Sequence, residues 1–297
     1  MTPAPHARAG VLPALALVLN AFVWGVSWWP FRQLEGAGLH PLWATMLIYA
    51  FAVVVITLAR PDAWRELFTH PALWLLVLAS GSTNAAFNWA VTIGDVVRVV
   101  LLFYLMPLWA VLLARLLLHE RLTHAAGLRV ALALIGALVI LWPPGGGWPL
   151  PRSLPEALGV LGGFSFALNN VMLRREAARS EGARALAMFV GGALVAGLLA
   201  WLLTPSGAVP PLPPVAPGWL AGALLLAAFF LVGNLALQFG ATRLPANATA
   251  VIMLTEVLFA SVSALALGAG TLDARIVTGG ACIIGAALLA AREHAAP

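Results

Sequence analysis

This chain contains no lysine; every one of its 16 basic residues is arginine. Charge of either sign is scarce, at 9% of 297 residues, while 62% are hydrophobic. Soluble domains carry about 25% charged residues, so the composition excludes an ordinary soluble fold and points to a polytopic membrane protein. The single cysteine, Cys282, lies in an apolar run. It can form no disulfide within the chain and indicates no redox compartment. No His or Asp stands deep inside a long apolar run, which excludes a proton relay of several residues. No cluster of metal ligands and no nucleophile with its base assembles, so neither a cofactor, a metal site nor an enzyme is expected. The net charge of +5 is read as Arg flanking membrane helices rather than as a nucleic-acid surface.

What the chain has is long apolar runs. A helix needs about 20 apolar residues to cross a bilayer. Ten segments qualify: 11–33, 41–59, 72–94, 97–118, 124–142, 155–173, 184–203, 217–240, 246–268 and 272–291. The first is too long for a cleaved signal peptide and has no small-residue cleavage site before Trp28-Trp29-Pro30. The longest connections, 143–154 and 204–216, are rich in Pro and Gly and read as loops. With both termini inside, twelve arginines flank the inner ends, among them Arg60, Arg65, Arg174 and Arg175. Only Arg32, Arg98, Arg152 and Arg275 flank the outer ends. That bias places both termini in the cytoplasm.

The sequence is written twice. Residues 105–142 align with 254–291: Leu105 falls on Leu254, Leu116 on Leu265, and Ile135-Gly136-Ala137 on Ile284-Gly285-Ala286. A repeat of this size sets the fold. Five spans per copy is an odd number, so the second copy starts on the opposite face. The expected architecture is all-α, with ten transmembrane helices as an inverted five-plus-five repeat. Its halves are residues 1–147 and 148–297.

Substrate sites in such folds lie near mid-bilayer between the repeats. The first span carries Asn20, Trp24, Ser27 and Trp28 on one face; in the second copy Phe166, Asn169 and Asn170 fall under the last three. The third span carries Ser80, Asn84 and Asn88 at i, i+4, i+8, and Asn234 and Gln238 fall under the two amides. A bare amide in hydrocarbon costs roughly 2–7 kcal/mol, so these faces turn inward. They act either as interhelical glue or as the lining of a wetted cavity. Glu256 is the one acidic residue near the middle of a span. It carries a proton, receives a substrate ammonium group, or stays protonated against a neighbouring helix. It falls where Pro107 stands in the first copy, and Pro107 is expected to kink its helix and turn Tyr104 into the cavity. Pro30 is the matching kink candidate in the first span, with Gly25, Gly94 and Gly240 as further hinges. Asp95 and Arg98 bracket a tight turn and read as a solvated pair or as an outer rim, with Arg98 also able to attract a carboxylate.

Other patterns carry less. The histidines of His119-Glu120-Arg121-Leu122-Thr123-His124 are five apart and cannot share a metal from one helix face. Gly159 with Gly163, and Ala281 with Gly285, are small-xxx-small pairs that let helices of this chain pack closely.

The two copies of five spans, the Leu105–Thr123 segment with its Glu-Arg-Leu-Thr turn, and the Gly-Ala-rich closing helices resemble the drug/metabolite transporter superfamily, in its EamA-type ten-helix branch. The second copy departs from that pattern: Gly268-Ala269-Gly270 lacks the acidic residue, and Glu256 replaces the proline. The Trp-rich first span is similar to the YddG-type aromatic amino acid exporters. The resemblance implies a carrier of the bacterial inner membrane, sufficient as a monomer, that exports aromatic amino acids by alternating access. Trp24, Trp28, Trp89, Tyr104 and Phe166 would then stack on the ring while the amides hold the zwitterionic head. Other substrates of the same fold (a nucleobase, a sugar, a toxic compound) and proton-coupled antiport through Glu256 stay open, as does a channel.

Overall fold

A computed structural model describes residues 6–117, 119, 124–142, 148, 150–241, 243, 252–253 and 255–293. Within those ranges the side chains of 6–10, 107, 125, 126, 129, 238, 241, 287 and 290–293 lie outside the description. Residues 246–251 and 254 of the 246–268 span, residue 147 at the expected repeat boundary and the side chains of Pro107 and Gln238 therefore fall outside the described residues.

The described residues form thirteen helices and no strand. In chain order they are α1 (His6–Val26), α2 (Trp28–Gly36), α3 (Pro41–Ala59), α4 (Asp62–Thr69), α5 (Ala72–Ile93), α6 (Val96–Phe103), α7 (Met106–Leu117), α8 (His124–Leu141), α9 (Leu154–Arg175), α10 (Glu181–Leu203), α11 (Pro217–Ala241), α12 (Thr255–Ala266) and α13 (Ala274–Glu293). Among the described residues six stretches are long and apolar enough to cross a membrane, with shorter apolar helices at Val130–Leu141, Thr255–Ala266 and Ala274–Ala286. The chain is a multi-pass membrane protein. α5 is not among the six. Its Ser80–Asn88 run dilutes its apolarity, and most of the helix is buried by protein, so it has little need to face lipid. Outward-facing apolar side chains such as Leu58, Leu225, Leu258 and Val262 sit on other helices, and Leu78 is one on α5 itself.

Two spans are interrupted, and proline places both breaks. Pro lacks an N–H, so the carbonyl four residues earlier loses its helical partner. α1 ends at Val26, four before Pro30, and α6 ends at Phe103, four before Pro107. At the first break Ser27 N–H donates to the Trp24 carbonyl at 3.2 Å, the Ser27 hydroxyl to the same oxygen at 2.7 Å.

α5 lies between α9 and α10; α10 also packs on α3, α1 on α11 and α12, α6 and α7 on α9, and α8 on α13. Glycine permits the closest crossings. A Cβ on Gly136 would lie 2.5 Å from the Gly279 carbonyl oxygen, and one on Gly279 would lie 2.6 Å from that of Gly136. Backbone thus meets backbone between α8 and α13. Gly163 meets the Phe103 carbonyl in the same way, at 2.3 Å. The small-residue pair on α9 therefore serves packing inside this chain. Gly25, Gly94 and Gly240, expected as hinges, also stand where a side chain would collide, with Glu256, Pro155 and Leu17 respectively.

One helix was absent from the ten expected spans. α4 is an eight-residue amphipathic helix whose Ala63 and Leu67 are buried. Glu66 ties it to the start of α10: Ser180 N–H and Oγ donate to its two carboxylate oxygens at 3.1 and 2.6 Å. The Ser180 hydroxyl, first among the causes, holds the Glu66 carboxyl below its ordinary value.

His40 caps α3. Its Nδ1 accepts the Leu42 N–H at 3.2 Å, and its ring stands edge-on to Trp89 at 5.2 Å. Burial pushes its pKa down to about 4 from 6.5. The folded state thus prefers neutral His40. Stability is full above the unfolded value and is lost as pH falls from 6.5 towards 4. Melting in detergent should therefore occur at lower temperature at about pH 5 than at about pH 7.5. His40→Asn, which keeps a capping acceptor without titrating, should narrow that gap; an unchanged gap would assign the effect to another group.

Candidate functional site

The two proline-linked breaks are brought together. Trp28, at the start of α2, and Phe103, Tyr104 and Leu105, around the α6–α7 break, belong to one buried cluster, with Trp24 and Phe166 packed against it. Phe103 is its hub, with ring centroids 4.7 Å from Phe87 and 5.4 Å from Phe166. Trp24 leans on Phe230 at 4.5 Å, and Trp28 Nε1–H donates to Ser263 Oγ of α12 at 3.0 Å. Tyr104 O–H donates to Glu256 Oε2 at 3.3 Å. An aromatic-lined region with one carboxylate thus forms where helical hydrogen bonding is already broken. Trp89 is elsewhere, against His40 and in the cluster of Leu42 and Ala85.

The amides divide into tied and partly free groups. Asn84 is fully engaged: its Oδ1 accepts the Tyr49 hydroxyl of α3, and its Nδ2 donates to the Ser80 carbonyl at 2.8 Å. Ser80 Oγ in turn reaches the Met188 carbonyl of α10 at 3.1 Å. Asn88 donates to Thr45 Oγ1 at 3.0 Å and Asn20 to the Gly233 carbonyl at 2.8 Å. The Oδ1 atoms of Asn20, Asn88 and Asn169 are buried with no hydrogen-bond partner among the described residues. Asn169 Nδ2 meets Asn170 Oδ1 only at 3.4 Å, and Asn170 is exposed. Asn234 is half-buried and donates along its own helix to the Phe230 carbonyl at 3.0 Å. Ser80, Asn84 and Asn88 do face inward together, yet onto α3 and α10 rather than onto the aromatic cluster.

At one end of the bundle, connections converge. Asp95 caps α6 by accepting the Arg98 N–H at 2.9 Å; its other oxygen accepts the N–H and hydroxyl of Thr271 at 2.7 and 2.8 Å. Arg98 pairs instead with Glu156 of α9 at 2.8 Å. The expected Asp95–Arg98 pair is therefore corrected. An N-capping carboxylate is aimed at backbone N–H groups, which leaves the guanidinium to the neighbouring helix. Arg32 lies over the Trp28 ring at 5.1 Å and donates to the Val91 and Gly94 carbonyls. A recess of about 550 Å³ opens here, lined by Arg32, Glu35, Thr92, Asp95 and Thr271.

Tyr49, Ser263 and Phe103 were not singled out from the sequence. For Tyr49 a signal existed: the chain has two tyrosines, and each bonds a polar side chain inside the bundle. Ser263 and Phe103 look like any Ser or Phe in an apolar run.

The interrupted helices, the buried amides and the carboxylate describe a membrane protein with a polar interior, and the chain is similar to known transporters. Residues 11–142 match the EamA-like transporter family. The RarD protein of Salmonella typhi is 31% identical over 186 residues, covering 60% of this chain and 59% of its own length. An uncharacterized transporter of Pseudomonas aeruginosa is 32% identical over 147 residues, 47% of this chain and 49% of its own. The same organism's chloramphenicol-sensitive protein RarD is 33% identical over 124 residues, 38% and 40% respectively. The chain thus spans less than two thirds of these relatives' lengths. One solved crystal structure superposes over 97% of this chain and 98% of its own with a TM-score of 0.56 at 19% identity, which bears on the fold alone.

Proposed function

We propose that this chain is a membrane carrier of the EamA/RarD type that exports aromatic and hydrophobic amino acids by alternating access. Its site is the meeting of the two broken helices. Discontinuous spans at mid-membrane are where carriers of inverted-repeat design hold substrate, because unwound backbone is tolerated only beside a polar cavity. The observation that carries the reading is the junction of Trp24, Trp28, Tyr104, Phe166 and Glu256 at two such breaks. Rings pack on the indoles, and the amides of Asn20, Asn169, Asn170, Asn234 and Gln238 serve the zwitterionic head.

Helix pairing supports the inverted repeat. The first span (α1–α2) lies against the eighth (α11) and ninth (α12); the sixth (α9) lies against the third (α5) and fourth (α6–α7). Adding five to each member of the first pairs yields the second. The second span (α3) with the seventh (α10), and the fifth (α8) with the tenth (α13), map onto themselves. On this reading repeats 1–147 and 148–297 move against each other about Pro30 and Pro107. The Asp95 end faces outward, both termini lie in the cytoplasm of a bacterial inner membrane, and one copy of the chain suffices.

Proteoliposomes test this directly. Labelled tryptophan or phenylalanine should show saturable exchange, competed by the other amino acid and, given the name of one relative, compared against chloramphenicol. Saturable exchange of a sugar or nucleobase with neither amino acid competing would reject the substrate; non-saturable flux would replace the carrier with a channel.

A further inference from the structure

Among the described residues Glu256 is a carboxylate with no counter-charge. Its one hydrogen bond among the described residues, from Tyr104, is long at 3.3 Å and occupies Oε2 alone. α12 packs on α1 and α6. From Val11 to Val26 α1 has no ionisable side chain; it meets Glu256 through Gly25, whose Cβ position is 2.8 Å from the Glu256 carbonyl oxygen. α6 contributes Tyr104 at its end and, at the far end, Arg98, which pairs with Glu156. Between Arg243 and Asp273 the chain has no charged residue other than Glu256. An isolated carboxylate in such surroundings must be neutralised by a proton or by a cation brought to it. The Tyr104 ring beside it, in one cluster with Trp28 and Phe103, fits the body of a ligand whose cationic group reaches Oε1, and cations are also drawn to ring faces.

We infer that Glu256 selects ligands bearing an ammonium group on an aromatic skeleton, and that such a ligand and a proton occupy the carboxylate in turn. When the ammonium group arrives, the carboxyl O–H bond breaks and its proton goes to water on the side from which the ligand entered. When the ligand leaves, a proton returns from the opposite side, so the cycle exchanges one for the other. This deepens the carrier reading and rests on it for direction, though the binding step stands alone.

The test is equilibrium binding to the intact purified chain in detergent, with labelled tryptophan and labelled 2-phenylethylamine as probes. Where the carboxyl is protonated, affinity should rise about tenfold per pH unit, as one competing proton requires. Unlabelled 2-phenylethylamine should compete, and 3-phenylpropionate, which lacks the ammonium group, should not. Glu256→Gln should flatten the pH profile and erase that discrimination. Glu256→Asp, which restores a carboxylate, should recover both; its melting temperature reports whether the fold is intact. Tyr104→Phe should keep proton competition but displace it along the pH axis. A flat wild-type profile, equal competition by the propionate, or a Glu256→Gln profile matching wild type overturns the proposal, as does binding of neither probe. If 2-phenylethylamine binds with the expected profile and tryptophan does not, the cation site stands and the amino acid reading falls.

Discussion

Gly191→Leu should leave almost no folded chain in the membrane. Gly81 of α5 and Gly191 of α10 bring two backbones into direct contact. A Cβ on Gly191 would lie 2.1 Å from the Val77 carbonyl oxygen, and one on Gly81 would lie 2.3 Å from the Gly191 carbonyl oxygen. Backbone cannot yield as a side-chain tip can, so even one methyl group forces the helices apart. Overpacking of a close interface costs about 1–3 kcal/mol for small insertions. Here separation also stretches the Ser80–Met188 bond and moves Asn84 from the Tyr49 hydroxyl. Gly191→Ala should therefore lower the melting temperature clearly, and Gly191→Leu should abolish recovery of monodisperse protein. Gly218→Ala is the control, because nothing lies within 4 Å of its Cβ position. Equal yields from Gly191→Leu and the control would show that α5 and α10 do not cross as described.

That crossing marks the limit of what the sequence makes legible. The spans 41–59 and 124–142 match α3 and α8 to within a residue, because runs of about 20 apolar residues are required by bilayer thickness and little else. The breaks were legible too: a proline's missing N–H acts on its own helix, so Pro30 and Pro107 locate the ends of α1 and α6 without knowledge of neighbours. α4 was missed because eight residues of mixed polarity contain no such run. What each polar side chain bonds was not legible either. Ser80, Asn84 and Asn88 define a face by spacing alone, but whether that face meets Tyr49 and Thr45 or a substrate depends on which helix lies opposite. Asp95 and Arg98 show the same limit: adjacent opposite charges suggest a pair, whereas the cap on α6 and Glu156 on α9 claim them separately.

The same distinction makes Asn84→Leu and Asn234→Leu fail in opposite ways. Asn84 sits at a three-helix node, buried, with both amide atoms in use. Leucine there leaves the Tyr49 hydroxyl without its acceptor, and a buried group left unsatisfied costs about 1–3 kcal/mol. The expected result is a lowered melting temperature and less protein in the membrane, with exchange per folded molecule nearly unchanged. Among the described residues Asn234 donates to the Phe230 carbonyl of its own helix, an oxygen one turn back that the helical bond already shares. Leucine should therefore barely move its melting temperature. On the carrier reading its half-buried amide meets the ligand head, and losing a hydrogen bond to a charged group removes roughly 1.5–3 kcal/mol of binding. Exchange of tryptophan should fall about tenfold or more on that scale. Both variants are read by melting in detergent and by counterflow normalised to folded protein. A loss of transport at unchanged stability for Asn84→Leu would move that node into the transport path, and a loss of stability for Asn234→Leu would make it one more interhelical tie.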